Sequence, residues 1–224
     1  MLSVFPEVGA IDFIQVFAIS FTSLFAIVNP VSTSIIFVTL SEGSPKWRKQ
    51  RMAMKAAIVS CGVLLLFAVT GMLVLNFFGI TTIALQIAGG IYIVYMGFRM
   101  IHPHQFHKDI HPQSRREFKG DVDVSIIPIA IPFLSGPGAI TTTILIASKA
   151  ESVLSYIALI SAIIAVCIVS WILLAHAHRV KKLLGTSGMK TLEKVMGLIV
   201  LAIGVQFILN GLQSYGVAIG LLGA

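Results

Sequence analysis

The chain has 224 residues, 57% of them hydrophobic and 11% charged, with a mean hydropathy of +0.96. A soluble domain of this length has no interior large enough for that much apolar surface. The net charge of +7 sits at the ends of apolar runs, which argues against a nucleic-acid-binding face and for a membrane protein.

Six apolar runs lie at 11–40, 53–77, 81–101, 124–148, 153–175 and 195–215. Each is long enough to cross a hydrocarbon core, which takes roughly 20 residues. Backbone groups in lipid must be satisfied within the segment, and the alternation of a membrane barrel is absent, so the runs are predicted helices. The expected organisation is one membrane domain over 1–224, with a three-helix unit at 11–101, a polar linker at 102–123 and a second three-helix unit at 124–215. No Lys or Arg falls in the first ten residues, so no basic, cleaved leader is expected.

The first run has 30 residues, about 45 Å as one helix, against a core of roughly 30 Å. Asn29-Pro30 interrupts it. Proline removes a backbone donor and suits the first position of a new helix, with Asn before it as N-cap. Residues 31–40 then form a half-helix of about 15 Å. In the second run Cys61 reads as a small buried hydrophobe, as does Cys167 in the fifth, with a disulfide not expected. The third run carries Gln86, Gly89, Gly90 and Gly97.

The linker holds His102, His104, His107 and His111, in a spacing that matches no metal-site pattern. The fourth run contains Ser135-Gly136-Pro137-Gly138, a second break, followed by another half-helix of about 15 Å over 139–148. His176 and His178 close the fifth run, and the sixth carries Gly197, Gly204, Gln206 and Asn210. The glycines suit close helix packing, and Gln86, Gln206 and Asn210 suit interhelical hydrogen bonds or a helper role in a site. No Asp, Glu, Lys or Arg falls in the middle of a predicted run.

Fifteen of the sixteen Lys and Arg fall in the first, third and fifth connections, and Lys149 alone in the fourth. The positive-inside rule then places those three connections in the cytoplasm and both termini outside, in a plasma (inner) membrane. A shift of 107 residues superposes Pro30 on Pro137, Ser34 on Thr141, Gly90 on Gly197 and Gly97 on Gly204. The expected fold is therefore all-α, with six transmembrane helices in a 3+3 inverted repeat and discontinuous helices one and four, as in many secondary transporters.

Each second half-helix starts near the midplane, so two N-termini with free N–H groups and partial positive charge meet there. Such termini bind carboxylates, while the ends of the preceding half-helices offer carbonyls to an ammonium. The expected ligand is a small zwitterion. The candidate binding residues are Asn29, Pro30, Val31, Ser32, Thr33 and Ser34 at the first break, and Ser135, Gly136, Pro137, Gly138, Ala139, Thr141 and Thr142 at the second. Back-bonding to helix carbonyls is the alternative for the hydroxyls of Ser32 to Ser34 and Thr141 to Thr143. No metal, cofactor or nucleotide motif is read, and Ser135 has no base at membrane depth, so an enzyme is not expected.

Asn29-Pro30, Ser135-Gly136-Pro137-Gly138, Ile87-Ala88-Gly89-Gly90 with Gly97-Phe98-Arg99, and Met196-Gly197 through Gly204-Val205-Gln206-Phe207-Ile208 with Asn210-Gly211 together resemble the MarC family over nearly the whole chain. The resemblance implies transport of small neutral amino acids such as glycine and alanine, as in SnatA-type transporters, with protons as a coupling partner. A proton-coupled carrier usually displays a membrane-embedded carboxylate or histidine. The nearest ones by sequence are Asp12 and His176. The other transport reading is an exporter or channel for a different small solute. Oligomeric state is not legible.

Overall fold

The first apolar run folds as two helices. In the computed structural model, which describes residues 13–102 and 134–220, α1 is Phe13–Val28 and α2 is Pro30–Leu40. They are followed by α3 (Lys46–Phe77), α4 (Thr82–Ile101), α5 (Pro137–Ser148), α6 (Val153–Ala175) and α7 (Ala177–Ala218). No strand occurs among the described residues. Five stretches are long and apolar enough to span a bilayer, with α1 and α2 counted as one, and α5 is a sixth, shorter apolar helix. This is an all-helical fold consistent with six membrane crossings. The linker after His102 and residues 124–133 lie outside the described residues.

Two predicted starts were late. α3 begins at Lys46, not 53, and its basic first turns extend a 32-residue helix to about 48 Å, beyond the hydrocarbon core. α7 begins at Ala177 and runs through a non-helical Gly185, with φ 67° and ψ 177°, into a span over Ser187–Ala218. The sixth predicted run began at 195, because Glu193 and Lys194 look like flanking charges.

α5 lies in the centre. Gly138, Ala139 and every residue from Thr141 to Ala147 are buried, and the helix packs on α1, α3, α4 and α6. A helix apolar on all sides belongs inside a bundle. Around it Leu24, Phe37, Leu64, Ile93, Leu159, Ile163, Val166 and Phe207 form the core. Large apolar side chains such as Ile58, Leu66 and Leu73 on α3 and Leu198, Leu209 and Leu212 on α7 are exposed on the outer surface, where lipid takes the place of a core.

The most extensive helix contact is the antiparallel pair α4 and α7. It closes on glycines: a Cβ at Gly97 would lie 2.8 Å from the Gly197 carbonyl oxygen, and one at Gly90 would lie 2.9 Å from that of Gly204. No side chain fits between these backbones, which is how small residues let membrane helices touch. In the same way Gly89 receives Thr141 of α5 and Gly71 of α3 receives Ile144. Cys61 of α3 and Cys167 of α6 are both free cysteines.

Candidate binding cavity at two helix breaks

Asn29 makes the first break. Its φ of 43° and ψ of 65° are left-handed, a conformation that asparagine tolerates better than most residues. Its N–H still closes α1 on the Phe25 carbonyl at 3.0 Å. Its side chain then starts α2, with Oδ1 accepting from the Ser32 N–H at 3.2 Å and Nδ2 donating to Met100 Sδ at 3.6 Å. One residue is thus both the end of α1 and the N-cap of α2. Pro30 has no N–H for the Ala26 carbonyl, and the Ser32 N–H is turned from the Val28 carbonyl to Asn29. The end of α1 therefore presents carbonyl groups released from their helical donors.

The second break is built differently. α5 starts at Pro137 from Gly136, whose backbone is extended and which offers no side-chain cap. The N–H groups of Gly138 and Ala139 in the first turn consequently have no capping side chain. A Cβ at Gly138 would lie 3.0 Å from Ile93 and 3.2 Å from Ile27, so glycine is what lets α5 start against α1 and α4.

Both breaks open into one cavity. Asn29, Ser32 and Thr33 line it from the first break, and Gly136, Gly138 and Ala139 from the second. α4 adds Tyr92, Met96 and Met100, and α7 adds Glu193 and Val200. Ser32 Oγ is buried with no hydrogen-bond partner among the described residues. A buried orphan hydroxyl at a cavity wall is what a ligand atom would satisfy.

The remaining predicted residues are placed as follows. Pro30, Val31, Ser34, Ser135, Pro137, Thr141 and Thr142 sit at the breaks or just past them but do not line the cavity. The Ser34 hydroxyl donates to the Val31 carbonyl at 2.6 Å, and Thr33, Thr142 and Thr143 likewise back-bond to their own helices. Gln86 is buried on α4, while Gln206 donates to Asn210 within α7 at 2.7 Å; none of the three lines the cavity. No group of three or more His, Cys, Asp or Glu that could hold a metal occurs among the described residues. Asp12 and the linker histidines from His104 onward fall outside them.

One expectation is corrected. A carboxylate does lie inside a membrane helix: Glu193 is only 2% exposed and faces the cavity. A helical stripe was the available signal, because Met189, Glu193, Gly197, Val200, Gly204 and Phe207 follow one another at intervals of three and four, and all are buried. Tyr92, Met96 and Met100 repeat at fours along α4 and were also missed.

At the ends of α2 and α7, Ser41 Oγ and His178 Nε2 are 3.3 Å apart. Burial, then Lys49 and Lys181, hold the His178 ring below its ordinary pKa of 6.5, against a smaller opposing pull from Glu42. His176 and His178 are both exposed.

A bundle of apolar helices with a lipid-facing surface and an internal cavity at helix breaks is a polytopic integral membrane protein. Comparison with known proteins narrows this. The family description "MarC family integral membrane protein" matches residues 14–215, and the chain belongs to the MarC family. It is 34% identical to a membrane protein of Methanocaldococcus jannaschii, covering 90% of this chain and 98% of the relative. It is 32% identical to the membrane protein YvbG of Bacillus subtilis, over 87% of this chain and 92% of that one. The inner membrane protein MarC of Citrobacter koseri is 27% identical, over 89% of this chain and 95% of its own length. No solved structure matches.

Proposed function

We propose that this protein is a secondary transporter of small neutral amino acids, of the size of glycine and alanine, acting in the inner membrane with both termini outside the cytoplasm. It performs no chemistry on its cargo. The observation that carries the reading is the shared cavity, in which an uncapped helix start, the released carbonyls of α1 and the orphan hydroxyl of Ser32 converge. In this reading the substrate carboxylate accepts from the Gly138 and Ala139 N–H groups and from Ser32, with the α5 dipole behind it. The ammonium donates to the carbonyls that α1 releases. Among the described residues no Lys or Arg lines the cavity, which suits a cargo that is not an anion.

The glycine contacts support the inverted repeat. The 107-residue shift maps Gly90 to Gly197 and Gly97 to Gly204. It therefore exchanges the Gly97–Gly197 contact with the Gly90–Gly204 contact, as a twofold axis in the membrane plane would.

The test is uptake of labelled glycine and alanine into proteoliposomes. Saturation and counterflow are expected; linear, non-exchanging flux would indicate a pore. Ser32→Ala removes a ligand bond of about 1 kcal/mol, weakening affinity about fivefold, while Ser34→Ala removes only a back-bond and leaves it within twofold. Absence of saturable uptake and of counterflow for both amino acids would overturn the proposal.

A further inference from the structure

We infer that residues 177–184 are a membrane-surface helix that, together with the first turns of α3, binds the headgroups of anionic phospholipids. The inference rests on the membrane setting alone and is independent of what the cavity carries.

α6 ends at Ala175, and the next membrane span starts at Ser187. The chain between them therefore stays at one face of the bundle. It is helical from Ala177, and Gly185 divides it from the span with φ 67° and ψ 177°, a conformation essentially reserved for glycine. Residues 177–184 are thus a short helix of their own, about 12 Å long. Two crossings hold it at the level where lipid headgroups lie.

The short helix is two-sided. Ala177, Val180, Leu183 and Leu184 share one side, at helical spacing, while Arg179 and Lys181 flank it and Lys182 lies opposite. Ala177 is buried on the bundle, but Leu183 further along is 85% exposed and Leu184 is 41% exposed. A leucine that bare, with a cation on either flank, suits the acyl boundary of a bilayer, where the cations snorkel to the phosphates. The helix is anchored to the bundle by the 3.3 Å approach of His178 Nε2 to Ser41 at the end of α2. Lys49 acts on the same His178 ring as Lys181 does, so the start of α3 adjoins this surface. There Lys46, Arg48 and Arg51 are exposed, and Trp47 is 63% exposed, an aromatic of the kind that settles at headgroup level. The short helix brings three cations and the first turns of α3 bring four, with Glu42 as a carboxylate near the same ring. That excess complements acidic headgroups, at about fivefold in affinity for each cation near the surface.

The experiment uses the full chain in proteoliposomes of phosphatidylcholine mixed with phosphatidylglycerol. Nitroxide labels are placed singly through Leu183→Cys and Lys182→Cys, with Cys61 and Cys167 replaced by alanine. The label at 183 should be relaxed by oxygen, which concentrates in lipid, and shielded from a water-soluble nickel chelate; the label at 182 should show the reverse. A label at 183 that is shielded from both would place protein over the leucine, and one open to the chelate would place it in water. Either result overturns the inference. The lipid chemistry is read separately, on the wild-type chain, with photoactivatable phosphatidylglycerol and phosphatidylcholine and mass spectrometry of the crosslinked residues. Phosphatidylglycerol should label 177–184 and 46–51 at least fivefold more than phosphatidylcholine does. Combining Arg179→Gln, Lys181→Gln and Lys182→Gln should remove the preference at 177–184, with labelling of the apolar spans unchanged as the control for folding. Equal labelling of the wild type by the two lipids overturns the inference. So does a preference that the triple variant keeps, or one that soluble inorganic phosphate competes away, which would mark a free-anion site.

Discussion

Asn29 allows the helix break to be tested by a reversal of sign. Alanine at this position must adopt the left-handed conformation, at about 1 kcal/mol, and loses the N-cap to Ser32, at about another 1 kcal/mol. Glycine also lacks the cap side chain, but it adopts positive φ without steric cost, and at an N-cap it is only a few tenths of a kcal/mol worse than asparagine. Asn29→Gly should therefore be nearly as stable as wild type, and Asn29→Ala less stable by about 2 kcal/mol. Denaturant unfolding of the micelle-solubilised protein measures both variants. If residue 29 instead ran through a continuous right-handed helix, alanine would be the better residue by about 1 kcal/mol. Finding Asn29→Ala at least as stable as Asn29→Gly would therefore refute the break and the cavity built on it.

Two further outcomes follow from the packing and the titrating groups. A Cβ at Gly97 would lie 2.5 Å from the Leu201 nitrogen, and one at Gly197 would lie 2.8 Å from Met100 Cβ. Gly97→Ala and Gly197→Ala should each cost about 1–3 kcal/mol in the same unfolding assay. Their double mutant should cost less than the sum, because the first methyl already parts the helices; strict additivity would show that the two glycines do not share a contact. His178 has a folded pKa below its ordinary value, so the unfolded chain binds its proton more readily. Its contribution to stability is present above pH 6.5 and is lost as pH falls through the folded value. Replacing it with glutamine should flatten the fall of the unfolding midpoint on acidification below 6.5, and parallel pH profiles for the two proteins would refute this.

The fold was legible because its punctuation is chemical. Pro30 and Pro137 cannot continue a helix that needs their N–H groups, and both begin new helices. Gly90, Gly97, Gly197 and Gly204 stood out as small residues in apolar runs, and they form the α4–α7 seam. The hydroxyls were less legible. Ser32, Thr33 and Ser34 occupy successive positions after one proline, yet Thr33 and Ser34 bond back to their helix while Ser32 does not. Adjacent residues on a helix are separated by about 100°, so composition alone does not say which of three faces the cavity.

Glu193 was misread for a related reason. Two cues compete at 190–194: charge, which marks the end of a membrane run, and period, which marks a buried face. Counting charges groups Glu193 with Lys190 and Lys194 and sends all three to water. The period separates them. Glu193 falls on the stripe that continues through Gly197, Val200 and Gly204, and the two lysines fall off it. A hydropathy window averages over a whole turn and discards that distinction. An acid flanked by exposed lysines at the end of a membrane helix therefore has to be tested against the helical stripe before it is assigned to the aqueous phase. Here that test moves Glu193, the one buried charge among the described residues, from the membrane edge to the wall of the cavity.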